Sequence, residues 1–283
     1  MSYKVFFNTE IVDSSEARIS CQDSGFLYGA GLFEVMRASN GIVFALDEHL
    51  DKLINSSIKL QIQLRGDKKY LADAVYETLN ANGLKEARVR ITVSSGAMAT
   101  EKPEPTLLVS VSEFNAYPKE YYDKGILVVL NSYRQNPADV LSGHQTTSYF
   151  SRLMALAMAH QKRAAEALWF TVDHRLAEGC LCNVFIVKNS VLFTPSLKIN
   201  ILPGIARKTV LKLSAENSIK FEEKDLSINE LLDSDEVFVT NVTSQIVPVV
   251  SIEAHNIGNS KPGTITKKIM ELYTNFFNKS VGL

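Results

Sequence analysis

Short runs of β-branched and aromatic residues alternate with helical spacings along the whole chain, and this alternation limits the fold more than any other feature. In the first part, YKVFF, GIVFAL, ARVRITVSS and TLLVSVS have the composition of strands. The stretch after Leu46 puts Leu50, Leu53, Ile54 and Ile58 on one helical face, with Asp47 as the expected cap. Residues 69–82 form a second expected helix, which Gly83 stops. FNAYPKEYYDKG, residues 114–125, breaks the pattern with Pro118, clustered tyrosines and Gly125, so it is expected to link two domains, 1–113 and 126–283. Beyond it the sequence predicts strands at ILVVL, ALWFTV, NVFIV, VLFTP and EVFVTN. Helices are expected from about Thr147 to Lys162, after Pro203 as a first-turn residue, and from about Pro262 to the end. Interleaving in both halves makes the class α/β (α+β), with a smaller N-terminal α/β domain and a larger C-terminal one.

Charge and cysteine usage exclude several functions. Thirty Lys+Arg against 31 Asp+Glu leave a net charge of −1, so no global field draws the chain to nucleic acid or to an anionic membrane. MSYKVFFNTE lacks the apolar core of a signal peptide, and no apolar run approaches the ~18 residues of a membrane span, so a soluble, cytoplasmic protein is expected. Cys21, Cys180 and Cys182 form no even disulfide framework and read as neutral buried thiols. Five scattered histidines give no metal-ligand spacing. A small ligand is the expected partner.

Seven stretches in order carry more information than any one of them. DSGFLYGAGLFEVMR, LDEHLDKL, QTTSYF, RLAEGCLCNVFIV, LFTP, LPGIARKTV and VFVTNVTSQIVPV resemble the class IV, fold type IV pyridoxal-phosphate enzymes: branched-chain aminotransferase, D-amino acid aminotransferase and aminodeoxychorismate lyase. The resemblance runs from about residue 5 to 275. It implies a two-domain fold with the cofactor cleft between the domains, a homodimer, pyridoxal 5'-phosphate or pyridoxamine 5'-phosphate as cofactor, and transfer of an amino group from an amino acid to a 2-oxo acid.

It also implies roles residue by residue. Glu178 matches the carboxylate that binds the pyridine nitrogen, keeping the ring protonated so that it accepts electrons. Asn183 matches an asparagine that fixes its strand. Gly204, Ile205, Ala206 and Arg207 match a Gly-Ile-Thr-Arg loop that holds the phosphate at a helix N-terminus. Ala206 lacks the threonine hydroxyl, and Val242 falls where a phosphate-contacting threonine is usual, leaving Asn241 or Thr243 to substitute. Lys52 stands for an arginine that reaches the phosphate, keeping the charge without the planar fork. Tyr149 falls in the same constellation, and Tyr28 and Arg37 match positions near the substrate. Arg90 reads as support for the sheet, and His144 as a satisfied structural histidine or a neighbour of the cofactor.

Gln145-Thr146-Thr147-Ser148-Tyr149 fits the family's Lys-[Thr/Ser]-x-[Asn/Ser]-[Tyr/Leu] at every place except the first. In the family that lysine forms the Schiff base with the cofactor and shuttles the substrate proton, and a glutamine amide does neither, so any cofactor is expected to be non-covalent. Three accounts follow: a glutamine introduced into an active parent, a natural relative that kept the fold and lost the chemistry, or altered catalysis with another base such as Tyr149 or His144. A lyase-like activity and a non-catalytic ligand-binding role stand beside the aminotransferase reading.

Overall fold

The computed structural model describes residues 3–97 and 104–283. The chain forms two compact units, each with its own sheet: residues 1–115, 144–149 and 277–283 in the first, and 116–143 and 150–276 in the second. Residues 144–149 and 277–283, which the sequence assigns to the C-terminal domain, thus pack with the first unit. Each belongs there through contacts with residues far earlier in the chain.

The first unit contains β1 (Lys4–Phe7), β2 (Glu10–Asp13), α1 (Ser24–Tyr28), β3 (Gly31–Ser39), β4 (Ile42–Val43), α2 (Leu46–Lys59), α3 (Lys68–Asn82), β5 (Ala87–Ser94) and β6 (Thr106–Glu113). Its strands pair antiparallel in the order β2-β1-β6-β5-β3-β4. Period-two alternation aligns three strands on one face. Val89 lies opposite Val111, Ile91 opposite Val109 and Val93 opposite Leu107, while Leu32, Glu34 and Met36 of β3 face Val93, Ile91 and Val89. All of these are buried, and they pack with Leu50 and Leu53 of α2 and with Leu71, Val75 and Leu79 of α3. Burying each such side chain contributes ~1.5–3 kcal/mol. Glu34 is the one charged member of that row, and its partners are described below.

Local corrections have local causes. GIVFAL gives only the two residues of β4 before Ala45 turns left-handed (φ 52°), and Ala45, not Asp47, occupies the cap position of α2. Asp47 lies in the first turn, where a carboxylate still suits the helix dipole. Leu50 and Leu53 are buried as expected and Ile54 partly so, but Ile58 is 70% exposed. Gly83 ends α3 in the left-handed conformation that favours glycine (φ 62°).

The second unit contains α4 (Lys119–Asp123), β7 (Ile126–Gln135), α5 (Phe150–Gln161), β8 (Glu166–Thr171), β9 (Leu176–Gly179), β10 (Asn183–Lys188), β11 (Val191–Pro195), α6 (Ile205–Glu216), β12 (Phe221–Lys224), α7 (Ile228–Leu232), β13 (Glu236–Asn241), β14 (Gln245–Ile252), β15 (His255–Asn256) and α8 (Thr264–Ser280), whose last residues from Phe277 belong to the first unit. The sheet is mixed, in the order β12-β11-β10-β13-β14-β7-β8-β9 with β15 beside β14. Parallel pairs join β11 to β12, β14 to β7 and β7 to β8. Leu168, Phe170, Val184, Ile186, Val237, Val239, Val247 and Val249 fill its core.

α5 begins at Phe150, three residues after the expected Thr147, because Thr146 is drawn into a bridge with Leu32 and Thr147 donates its amide to Gly31 O. Pro203 lies outside α6: Gly204 is the cap and Ile205 the first helical residue. Cys180 is buried, Cys182 half-buried and Cys21 exposed, so the expectation of burial fails for Cys21, and none of the three is in a disulfide. No helix among the described residues is long and apolar enough to cross a membrane, and none of their His, Cys, Asp and Glu side chains form a group able to hold a metal ion.

Candidate active site

In the first unit the expected residues gather around α2. His49, Lys52 and Ser56 recur at helical spacing and form one stripe. Each meets a polar partner. Glu34, buried in the core row of β3, lies 2.8 Å through Oε2 from His49 Nδ1 and 3.0 Å from Lys52 Nζ. Lys52 Nζ also donates to Gln145 Oε1 at 3.1 Å. Ser56 Oγ and His144 Nδ1 are 2.8 Å apart. The side chains of Glu34 and His49 are each 2% exposed, and His49 Nε2 is buried with no hydrogen-bond partner among the described residues. An unpaired carboxylate could not be kept in this row at tolerable cost, so Lys52 and His49 are what allow Glu34 to be there.

Backbone pairing holds Gln145 in place. Phe33 N donates to Gln145 O at 2.9 Å, and the next two residues continue the strap along β3. The close approach requires Gly31, where a Cβ would come within 2.6 Å of Val93 O and 2.9 Å of Thr147 Oγ1. On the other face of β3, Tyr149 packs edge-on against Phe33 with ring centroids 5.4 Å apart, and the Arg90 guanidinium covers the same Phe33 ring at 3.8 Å. Burial, and next the nearby charge of Lys59, hold the His144 imidazole below its usual value, so it is neutral at pH 7. Arg37 lies between the rings of Phe114 and Phe277, at 4.1 and 4.5 Å, contacts that account for it without a substrate. Tyr28 is 70% exposed on α1.

The second unit brings Glu178, Asn183 and the lead-in to α6 together. Glu178 is buried on β9; Oε1 accepts from Arg152 Nη2 at 2.6 Å and Oε2 from Leu202 N at 3.0 Å. Arg152 also donates to Gly179 O and to Gln135 Oε1, which fixes the guanidinium and through it the carboxylate. Asn183 Nδ2 donates to Leu202 O at 2.9 Å, so Leu202 is held at both its amide and its carbonyl. A Cβ on Gly204 would sit 2.1 Å from Asn183 Oδ1. At φ −65° any residue suits the backbone there, so the constraint is space.

The amides of Ile205, Ala206 and Arg207 precede the first bond of α6, from Lys208 N to Gly204 O, and therefore have no acceptor within the helix. The Arg207 side chain is turned away to Pro195 O and Glu223, leaving the loop's backbone as its donor set. Asn241 Oδ1 accepts from Thr243 N, Thr243 Oγ1 and Ser244 N, an arrangement that builds the β13–β14 turn. With Tyr117 OH 3.2 Å from Thr243 Oγ1, that hydroxyl is already engaged twice, and Val242 has none to offer. Nearby, Glu166 accepts from the amides of Ala167, Cys180 and Leu181 and holds the β9–β10 connection. Burial, with the Glu166 carboxylate next, pushes the Cys180 thiol up to about 12 and the Cys182 thiol well above its usual value, so both are neutral packing groups.

Glu34, His49 and Arg152 are the residues that sequence reasoning missed. His49 and Glu34 lie inside quoted motifs, and the i, i+3 spacing of His49 and Lys52 was the available signal. Nothing local marks Arg152.

Residues 31–252 match the family described as Amino-transferase class IV. A Methanocaldococcus jannaschii protein named "Putative branched-chain-amino-acid aminotransferase" is 35% identical over 282 residues, covering 98% of this chain and 97% of its own. D-alanine aminotransferase of Bacillus licheniformis is 30% identical over 277 residues, covering 96% of each. The structure of the T.th. branched-chain amino acid aminotransferase with pyridoxamine 5'-phosphate superposes with a TM-score of 0.92 at 25% identity, covering 100% of this chain and 95% of that one. The chain belongs to the class IV aminotransferase family.

Proposed function

We propose that this chain binds pyridoxal 5'-phosphate or pyridoxamine 5'-phosphate together with an amino acid or 2-oxo acid, and that the family's amino-group transfer does not run through residue 145. The observation that carries the reading is Gln145 itself, strapped to β3 with its amide oxygen on Lys52 Nζ. Its amide has no basic lone pair to take a substrate proton.

The donor set suits such a cofactor. Glu178 spends one hydrogen bond on each oxygen and retains lone pairs for a ring N–H. The Ile205 and Ala206 amides at the start of α6, with Gly204 as cap, suit a phosphate. Asn241 and Thr243 shape the adjoining turn, and in this reading they contribute position more than donors. In this reading Tyr149 stands on the cofactor side, and Tyr28 and Arg37 on the substrate side. When bound, the cofactor supplies an electron sink for the substrate carbanion. The same reading makes the chain a homodimer acting on either a branched-chain amino acid or D-alanine, the two kinds of substrate its relatives' names carry.

Titration of the purified protein with pyridoxamine 5'-phosphate, which needs no lysine, tests the reading. Saturable binding that Glu178→Ala weakens by roughly tenfold or more is expected, since a charged hydrogen bond of ~1.5–3 kcal/mol is removed. Absence of binding sinks it. Gln145→Lys should raise transamination across a panel of amino and 2-oxo acids by ~10²–10⁴-fold, the usual range for restoring an acid–base group.

A further inference from the structure

We infer that Arg152 is a positioning residue for both ends of the cofactor site in the second unit, holding the ring-nitrogen acceptor Glu178 directly and the lead-in to the phosphate loop through Gln135. The inference rests on the cofactor-binding reading above and deepens it. Arg152 stands on the first turn of α5, where its planar fork serves Glu178 Oε1 at 2.6 Å, Gly179 O at 2.8 Å and Gln135 Oε1 at 3.2 Å together. The Trp169 ring lies 5.4 Å from the guanidinium carbon. With the Glu178 side chain only 4% exposed, an unpaired carboxylate there would be costly, so its bond to Arg152 has a reason in stability alone. That reason covers one arm of the fork.

The other arm reaches the phosphate end. Because a guanidinium only donates, the buried Gln135 at the end of β7 turns its amide oxygen to Arg152, which leaves its nitrogen to donate to Asn200 O at 3.0 Å. Two residues on, Leu202 N donates to Glu178 Oε2 at 3.0 Å. Residues 200–202 are therefore held at one end through Gln135 and at the other through Glu178, and both holds run back to the same guanidinium. Gly204 N then donates to Leu202 O, and Gly204 caps α6, whose Ile205 and Ala206 amides are the phosphate donors of the reading above. A shift of the fork displaces the ring acceptor and the phosphate donors together. A lysine would supply the charge beside Glu178 without the planar fork that joins the two ends.

The test compares wild type with Gln135→Met, which removes the second arm and leaves the Arg152–Glu178 pair, and with Arg152→Lys, which keeps a charge and gives up the fork. In the ligand-free protein, hydrogen exchange followed by mass spectrometry should be faster over residues 200–206 in both variants, with β10 as protected as in wild type. In Gln135→Met, affinity for pyridoxamine 5'-phosphate should fall about fivefold, the effect of one neutral hydrogen bond, while affinity for pyridoxamine, which lacks the phosphate, stays the same. Arg152→Lys should lower the ratio of the two affinities at least as far. A guanidinium that only neutralised Glu178 would leave that ratio unmoved in Gln135→Met. Should Arg152→Lys not fold, Gln135→Met decides alone. Unchanged exchange over residues 200–206, equal losses for the two ligands, or no loss for either overturns the inference and leaves the cofactor reading standing. If wild type does not bind pyridoxamine 5'-phosphate, that reading falls and the inference with it.

Discussion

Asp23 shows how much one side chain can hold in this fold. It caps α1 by accepting from the amides of Gly25 and Phe26, and its second oxygen accepts from Ser94 Oγ and Thr106 Oγ1, each at 2.7 Å. Burial alone would raise its pKa, but the four hydrogen bonds outweigh it and hold the group below its ordinary 3.8. Because the folded value is depressed, the stabilisation is complete above the unfolded value and is lost as pH falls through the folded one. Urea unfolding of Asp23→Asn between pH 5 and 3 should therefore show a shallower loss of stability with acid than wild type. Asp23→Ala should cost about 2 kcal/mol at neutral pH, the upper end for a lost cap. Glu34 teaches the complementary lesson: a glutamate in a strand pattern reads as exposed, and only its register between Leu32 and Met36 reveals a buried acid with two basic partners.

Among the elements, the start of α6 depends on a neighbour rather than on its own sequence. Pro203 and Gly204 mark a helix entry in any context, but the reason for glycine is the Asn183 carboxamide on β10. Gly204→Ala should destabilise by about 2 kcal/mol through overpacking, measured by chemical denaturation. Adding Asn183→Ala should make the pair strongly non-additive, since the second substitution removes the obstacle along with the bond to Leu202. Additive losses would contradict this account. Helix boundaries fell where tertiary pairing overrode the local pattern: the helix expected from about Thr147 begins at Phe150, because the β3 edge claims Thr147 instead.

For the whole molecule, the reading as a homodimer predicts sedimentation at twice the 31.4 kDa chain mass, with a monomer counting against it. The first unit presents Phe26 and Tyr28 of α1 at 73% and 70% exposure, which such an association would cover. Phe26→Glu should then shift the equilibrium toward monomer in the same measurement. By itself the sequence determined the α/β class, most strands, the α2 face as far as Ile54 and the stop of α3 at Gly83, because periodicity, glycines and prolines act over a few neighbouring residues. The ordered motifs likewise made the family legible, as well as the absence of lysine at 145. Only the tertiary structure decided that residues 144–149 and 277–283 join the first unit, that Arg152 anchors Glu178, and that Lys52 meets Gln145. Those contacts join residues far apart in the chain, and side chains that meet through strand register and helix stripe leave no trace in local pattern.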